Sequence, residues 1–289
     1  MKHLLILILL FSIACSPTSK TTKPLKSNKK KVFLFAGQSN MEGRANGDLL
    51  SEEDLKRLEK VAPNIAFHYN HFPVTPLQLT TPKPYIQKKF SLEKSFGPEL
   101  FFGINLVEKY PKDEFVFIKR SQGGTSLYGC WNPDWTLAKA KVMNEEKQPK
   151  LFTDFVNYGQ SILANMDTSE YEICGMLWVQ GESDSGIKKH GTIPAETYGQ
   201  NLQNLIKETR KQFNVPNLPI MIFQVGSGKV VEGMKSIAKS DDFVFLIKQS
   251  KNKKSTNYYE RNPPPIGHYT AKSMKKIGER FFETYERDY

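Results

Sequence analysis

The stretch VFLFAGQSNMEGR, Val32 to Arg44, ends a five-residue apolar run in Gly-Gln-Ser-Asn-Met instead of ordinary turn residues. Such a run suits a strand buried on both faces, and Gly37 breaks it. Ser39 is then a candidate nucleophile at a strand end, where open α/β sheets bind their ligands. A serine after a strand is commonly only a helix cap, so Ser39 alone is a weak signal. Three further clusters strengthen it. RSQGGTSL carries Gly123 and Gly124, whose backbone N–H groups can approach a ligand without obstruction. WVQGESD places Gln180, Glu182 and Asp184 together, and PPPIGHYTAKS puts His268 just before a late helical pattern. A serine, a histidine, paired glycines and an amide are what acyl transfer requires: nucleophile, base and oxyanion donors.

Short apolar runs alternating with helical patterns must position these groups. Strands are expected at Val32–Ala36, Ile65–Tyr69, Phe115–Lys119, Ile173–Val179, Ile220–Val225 and Phe243–Ile247. Helical periodicity opens at Gly97-Pro98 and stops before Pro111, and a last helix is expected from about Ala271 to Glu286. This pattern predicts a parallel sheet covered on both faces. The interval 71–94 has four prolines and little periodicity, and reads as a surface excursion.

In this order, GQSNM, SFGPEL, GGTSL, WVQGESD and a late His resemble the SGNH hydrolase superfamily, and within it the sialate O-acetylesterase and carbohydrate esterase family 6 group, which includes acetyl xylan esterases. The resemblance covers about residues 31 to 285. It implies an α/β three-layer sandwich of flavodoxin-like type with a central parallel five-stranded sheet. It also implies a carbohydrate O-acetylesterase, acting on glycans of sialic acid or xylan type through a Ser-His acyl-enzyme, with no cofactor and no metal. Ser39 would be the nucleophile and His268 the general base. The Ser39 N–H, the Gly124 N–H and the Gln180 side-chain amide would form the oxyanion hole.

The chain departs from the superfamily at one position. An Asp usually stands three residues before the catalytic His, and here that residue is Pro265. Candidate orienters of His268 are Glu182, Glu260 and a main-chain carbonyl in the proline run, such as that of Pro265. Trp131 and Trp135 are candidates for sugar stacking at the cleft rim, with packing beneath the loop as the alternative reading. His190 could touch substrate or face water. His68 and His71 have H-x-x-H spacing but diverge on a strand, so metal binding is not expected.

The chain has 289 residues, 39% of them apolar, enough for one large globular domain. Its formal charge is +11, but seven excess lysines lie within the first 31 residues, leaving +4 on the rest. A basic segment of this kind is ordinarily a solvated tether, so nucleic acid is not an expected partner. MKHLLILILLFSIAC has the basic start, apolar run and small residues of an export signal. It resembles a bacterial lipoprotein signal with Cys15 as the lipidated residue, against an ordinary cleaved signal as the alternative. Residues 16–31 then form a Lys/Ser/Thr/Pro-rich linker, and 32–289 the esterase domain. The expected location is exported and membrane-anchored, periplasmic or at the cell surface. Cys130 and Cys174 are expected as buried unpaired thiols. Rival functions are a non-catalytic glycan-binding lipoprotein and a glycoside hydrolase using Glu182 and Asp184, whose closeness on one loop disfavours the latter.

Overall fold

The computed structural model describes residues 29–264 and 266–288. Cys15, the leader, residues 16–28 of the linker and Pro265 lie outside the described residues. The main sheet is built from β1 (Lys30–Gly37), β2 (Ile65–Tyr69), β3 (Thr75–Pro76), β4 (Phe115–Ser121), β5 (Tyr171–Val179), β6 (Ile220–Phe223) and β7 (Val244–Ile247). Its strand order is β3-β2-β4-β1-β5-β6-β7, and only β3 runs antiparallel to its neighbour. The sheet thus has seven strands where the resemblance implied five. The six expected strands are all present; the two-residue β3 at the edge is too short to leave a periodic signal.

Parallel strands need crossover connections, and these supply the helices on both faces. The longer ones are α1 (Glu52–Val61), α2 (Glu99–Lys109), α3 (Leu151–Leu163), α4 (Tyr198–Gln212), α5 (Lys229–Ser240) and α6 (Ala271–Asp288). Side chains alternate along β1, so Phe33 and Phe35 point to one face. There Phe33 meets Phe102 of α2 at 5.0 Å and Tyr285 of α6 at 5.1 Å, ring centre to ring centre. On the other face Trp178 of β5 packs edge-on against Trp131 at 5.3 Å, and Trp131 continues to Phe155 of α3 at 6.3 Å. Val32 through Ala36 are wholly buried between the two layers, which explains their uninterrupted apolar run.

Register decides where the functional loops emerge. Gly37 pairs with Ser121 on one side and Val179 on the other. The chains that leave the sheet as Gln38, Gln122 and Gln180 therefore start side by side at the strands' carboxyl edge. Close beneath them lies a buried ion pair: Lys119 Nζ of β4 is 2.7 Å from Glu99 Oε1, at the start of α2, and both side chains are shielded from water. Lys119 also donates to the Glu42 carbonyl at 3.3 Å, and Glu99 accepts the Gly97 N–H at 3.2 Å. Burial depresses the Lys119 pKa while Glu99 opposes the shift.

Removing one member leaves an uncompensated buried charge. Lys119→Met is expected to lower unfolding stability by about 3–5 kcal/mol, and Lys119→Met with Glu99→Leu to recover most of it. Urea denaturation of the two variants measures the difference.

Candidate active site

Ser39 opens a single helical turn, Ser39–Glu42, directly after β1. The turn is sharp because Gly37 has φ +150°, and a Cβ there would fall 2.2 Å from the Val179 carbonyl oxygen. Only glycine permits that crossing of β1 and β5. As the first helical residue Ser39 has no intrahelical acceptor for its N–H, and among the described residues it meets no other acceptor.

The glycine loop lies against this turn. Gly123 donates its N–H to Glu42 Oε2 at 2.8 Å, and Arg44 Nη2 donates to the same oxygen at 2.5 Å. A methyl group on Gly123 would lie 3.4 Å from Ser39 Cβ, so the loop passes close to the Ser39 side chain. Gly124 follows with φ +75°, faces open space and, among the described residues, has no acceptor for its N–H. The rest of the loop is held by two buried carboxylates. Glu145 accepts from the Ser126 N–H at 2.7 Å, the Ser126 hydroxyl at 2.8 Å and the Cys130 N–H at 2.9 Å. Asp184 accepts from the Leu127 and Tyr128 N–H groups, each at 2.9 Å, and from Gln180 Nε2 at 2.6 Å. Burial pushes the Asp184 pKa up to about 7 against these hydrogen bonds.

Gln180 has further partners. Its Nε2 also faces Thr125 O at 3.1 Å and Gln38 Oε1 at 3.3 Å, while Tyr198 donates to the Gln180 main-chain carbonyl at 2.7 Å and lies 3.2 Å from Oε1. Its two amide hydrogens thus have three acceptors within the protein in this structure. Gln180 ties the strand end of β5 to the serine turn and the glycine loop. Asp184 and Glu182 do not face each other across a cleft either: Asp184 is turned inward onto backbone N–H groups, and Glu182 accepts from Asn40 Nδ2 at 2.7 Å. That geometry disfavours the paired-carboxylate glycosidase reading.

His268 sits on the loop before α6, which is tied to the serine turn through Arg261. Arg261 Nη2 lies 3.6 Å from Glu182 Oε1, the oxygen that receives Asn40, and donates to the Tyr269 hydroxyl at 2.7 Å. Burial first, then the charges of Arg44, Arg261 and Lys89, pushes the His268 pKa down to about 4. Its Nδ1 is buried and meets no partner among the described residues. Among the described residues neither Glu182, which accepts from Asn40, nor the exposed Glu260 hydrogen-bonds His268, and the third candidate orienter, the Pro265 carbonyl, lies outside the described residues. The Pro263 carbonyl takes the N–H groups of Ile266 at 3.1 Å and Gly267 at 3.3 Å. Ser39 and His268 make no direct hydrogen bond among the described residues.

Trp131 is fully buried and donates to Thr125 Oγ1 at 3.0 Å, so it packs beneath the loop and offers no sugar-stacking face. Trp135 is half-buried, with Lys150 Nζ 4.2 Å over its ring. His190 Nδ1 approaches the Val142 carbonyl at 3.1 Å, and His71 Nε2 pairs with Asp154 at 2.9 Å. Cys130 and Cys174 are buried free thiols, and burial raises both pKa values. Sequence reasoning missed Glu42, Glu145 and Phe90. Glu42 adjoins the GQSNM motif and could have been found there; Glu145 lies in a polar run with no signal.

The family model for carbohydrate esterase, sialic acid-specific acetylesterase, matches residues 29–287. The chain belongs to that family. A probable carbohydrate esterase of Arabidopsis thaliana is 46% identical over 57 residues, a match spanning 20% of this chain and 20% of that protein. Among solved structures, a protein from Arabidopsis thaliana shares 21% identity, covering 90% of this chain and 98% of that one, with TM-score 0.60. NanS shares 14%, covering 91% and 98%, with TM-score 0.59. A carbohydrate acetylesterase from Xanthomonas citri shares 15%, covering 87% and 55%, with TM-score 0.55. At these identities the solved structures share the fold with this family member.

The Asp184 clamp is testable apart from substrate. Asp184→Ala strands the Leu127 and Tyr128 N–H groups and the Gln180 amide, and is expected to cost about 3 kcal/mol of unfolding stability. The urea midpoint at pH 8 measures it; a change under about 0.5 kcal/mol would show that the clamp does not hold the loop.

Proposed function

We propose that the protein is a serine esterase that removes O-acetyl groups from a carbohydrate, of sialic acid or xylan type. The observation that carries this reading is the bond of the Gly123 N–H to Glu42 on the serine turn, which sets the glycine loop against that turn, with the Ser39 and Gly124 N–H groups free of acceptors among the described residues. Ser39 Oγ attacks the acetyl carbonyl while its proton passes to His268 Nε2. The two N–H groups receive the oxyanion. Collapse of the tetrahedral intermediate breaks the bond to the sugar oxygen, which takes the proton from His268 and leaves an acetyl-Ser39. Water, deprotonated by His268, attacks this ester and releases acetate. A neutral serine is a poor nucleophile without such a base.

Acetate release from acetylated glycans tests the reading. Ser39→Ala and His268→Ala are each expected to lower kcat by roughly 10³ or more with KM little changed. His268 must be neutral to accept a proton, so kcat/KM should hold steady from pH 8 down to about 5. It should fall only as pH drops through about 4, the value to which burial pushes the histidine. An acid limb near 6.5, or full activity in Ser39→Ala, contradicts the mechanism. The glycan released fastest by a panel of acetylated substrates identifies the substrate type.

The reading extends to location: an exported lipoprotein anchored through Cys15. Lys30 enters the sheet at the strands' amino edge, and the seven residue steps along β1 separate it from Gly37 at the carboxyl edge by roughly 23 Å. An anchor upstream of Lys30 therefore attaches to the side away from Ser39, which suits a large substrate. Cys15→Ser is expected to move the protein from the detergent phase to the aqueous phase, with activity on small acetyl esters unchanged. Equal partitioning of both forms removes the anchor.

A further inference from the structure

The segment that reads in sequence as a surface excursion packs against the base. Its helix Pro84–Phe90 and the following turn supply Ile86, Phe90 and Leu92, and these form a small apolar cluster of their own, separate from the main core, with Ile266 packed against it. Ile266 lies two residues before His268. The Phe90 and His268 rings stand perpendicular, 5.1 Å between centres. Perpendicular aromatic pairs of this spacing have a preferred geometry beyond the area they bury.

We propose that Phe90, backed by Ile86, Leu92 and Ile266, is a positioning residue for His268, fixing by ring packing an imidazole that has no carboxylate partner among the described residues. This rests on the esterase reading above, in which His268 is the base. Among the described residues, two other groups near the ring are engaged elsewhere: Glu182 with Asn40 and Arg261, and the Pro263 carbonyl with Ile266 and Gly267. Phe90 does this without adding charge. The charged groups facing His268 from the packed elements are Lys89 on the helix of Phe90, Arg44 beyond the serine turn and Arg261 on its own loop, all cationic, with Glu182 held by Arg261. Burial is the largest cause of the low histidine pKa, and Phe90 supplies part of that burial.

The test compares Phe90→Ala, Phe90→Leu and Phe90→Tyr with wild type and Ser39→Ala, each confirmed as folded by circular dichroism. The readouts are kcat, KM and the pH profile on a small acetyl ester. Loss of the ring is expected to lower kcat about tenfold, with KM within about threefold. It should also move the acid limb of kcat/KM upward from about 4 as water reaches the imidazole. Phe90→Tyr should restore both values and Phe90→Leu neither, which separates ring packing from simple volume. Phe90→Leu also carries the test if Phe90→Ala does not fold. Leucine and alanine variants with lowered melting temperature but unaltered kcat and acid limb would overturn the proposal, since Phe90 would then only fill space. Activity surviving in Ser39→Ala would overturn the esterase reading itself; a dead Ser39→Ala beside unaffected Phe90 variants overturns the positioning role alone.

Discussion

The Glu42 carboxylate accepts the Gly123 N–H at 2.8 Å and the Arg44 guanidinium at 2.5 Å, and Glu42 stands on the same helical turn as Ser39. Residues three apart on a helix share a face, so this one anion couples the nucleophile's turn to the loop that presents Gly124. A displacement of either would break the bond to the other. An isolated carboxylate at this depth would be costly. Arg44 offsets that cost, and its charge reaches His268, where it helps to depress the imidazole pKa. In the proposed mechanism the Glu42–Arg44 pair thus aligns nucleophile and oxyanion donors, while Arg44 biases His268 toward the neutral form a base needs.

Around that anion the site is assembled from buried polar groups satisfied by backbone. Among the described residues Glu145 and Asp184 have no arginine or lysine hydrogen-bond partner and are solvated by four backbone N–H groups of residues 126–130, the Ser126 hydroxyl and the Gln180 amide. Such carboxylates replace the ladder that a loop lacks. They hold irregular backbone rigid at a sheet edge where binding loops are otherwise mobile. The requirement is strict because each donor left unpaired would be buried without water.

The strands were legible because burial on both faces writes an unbroken apolar run, as in Val32–Ala36, and the pairing of Gly37 with Ser121 and Val179 then follows from parallel packing. Loop ends were legible as motifs but not as roles. Gln180 reads as a donor, yet which acceptor an amide finds depends on contacts to Thr125, Gln38 and Asp184 that no local pattern encodes. Trp131 looks the same in sequence whether it lines a cleft or lies beneath it. The segment 71–94 is a surface excursion whose inner contacts leave no sequence signal: Ile86, Phe90 and Leu92 bury themselves against a loop some 175 residues later in the chain, and a single helical turn or two carries too few apolar positions to declare a periodicity.

A base fixed by packing differs in kind from one fixed by an acid. In a serine triad the carboxylate both selects the imidazole tautomer and stabilises the imidazolium that forms during attack. Phe90 can hold the ring plane, but it contributes no anion, and Lys89, Arg44 and Arg261 all act against the protonated ring. In the proposed mechanism the histidine would accept the Ser39 proton from an unfavourable starting pKa, and the transition state must recover that disadvantage elsewhere. The remaining place for it is the oxyanion, where preorganised donors act on charge that exists only in the transition state. In the proposed mechanism this gives the buried carboxylates Glu42, Glu145 and Asp184 a purpose: with no acid partner for His268 among the described residues, rigid placement of the oxyanion donors is what remains to lower the barrier.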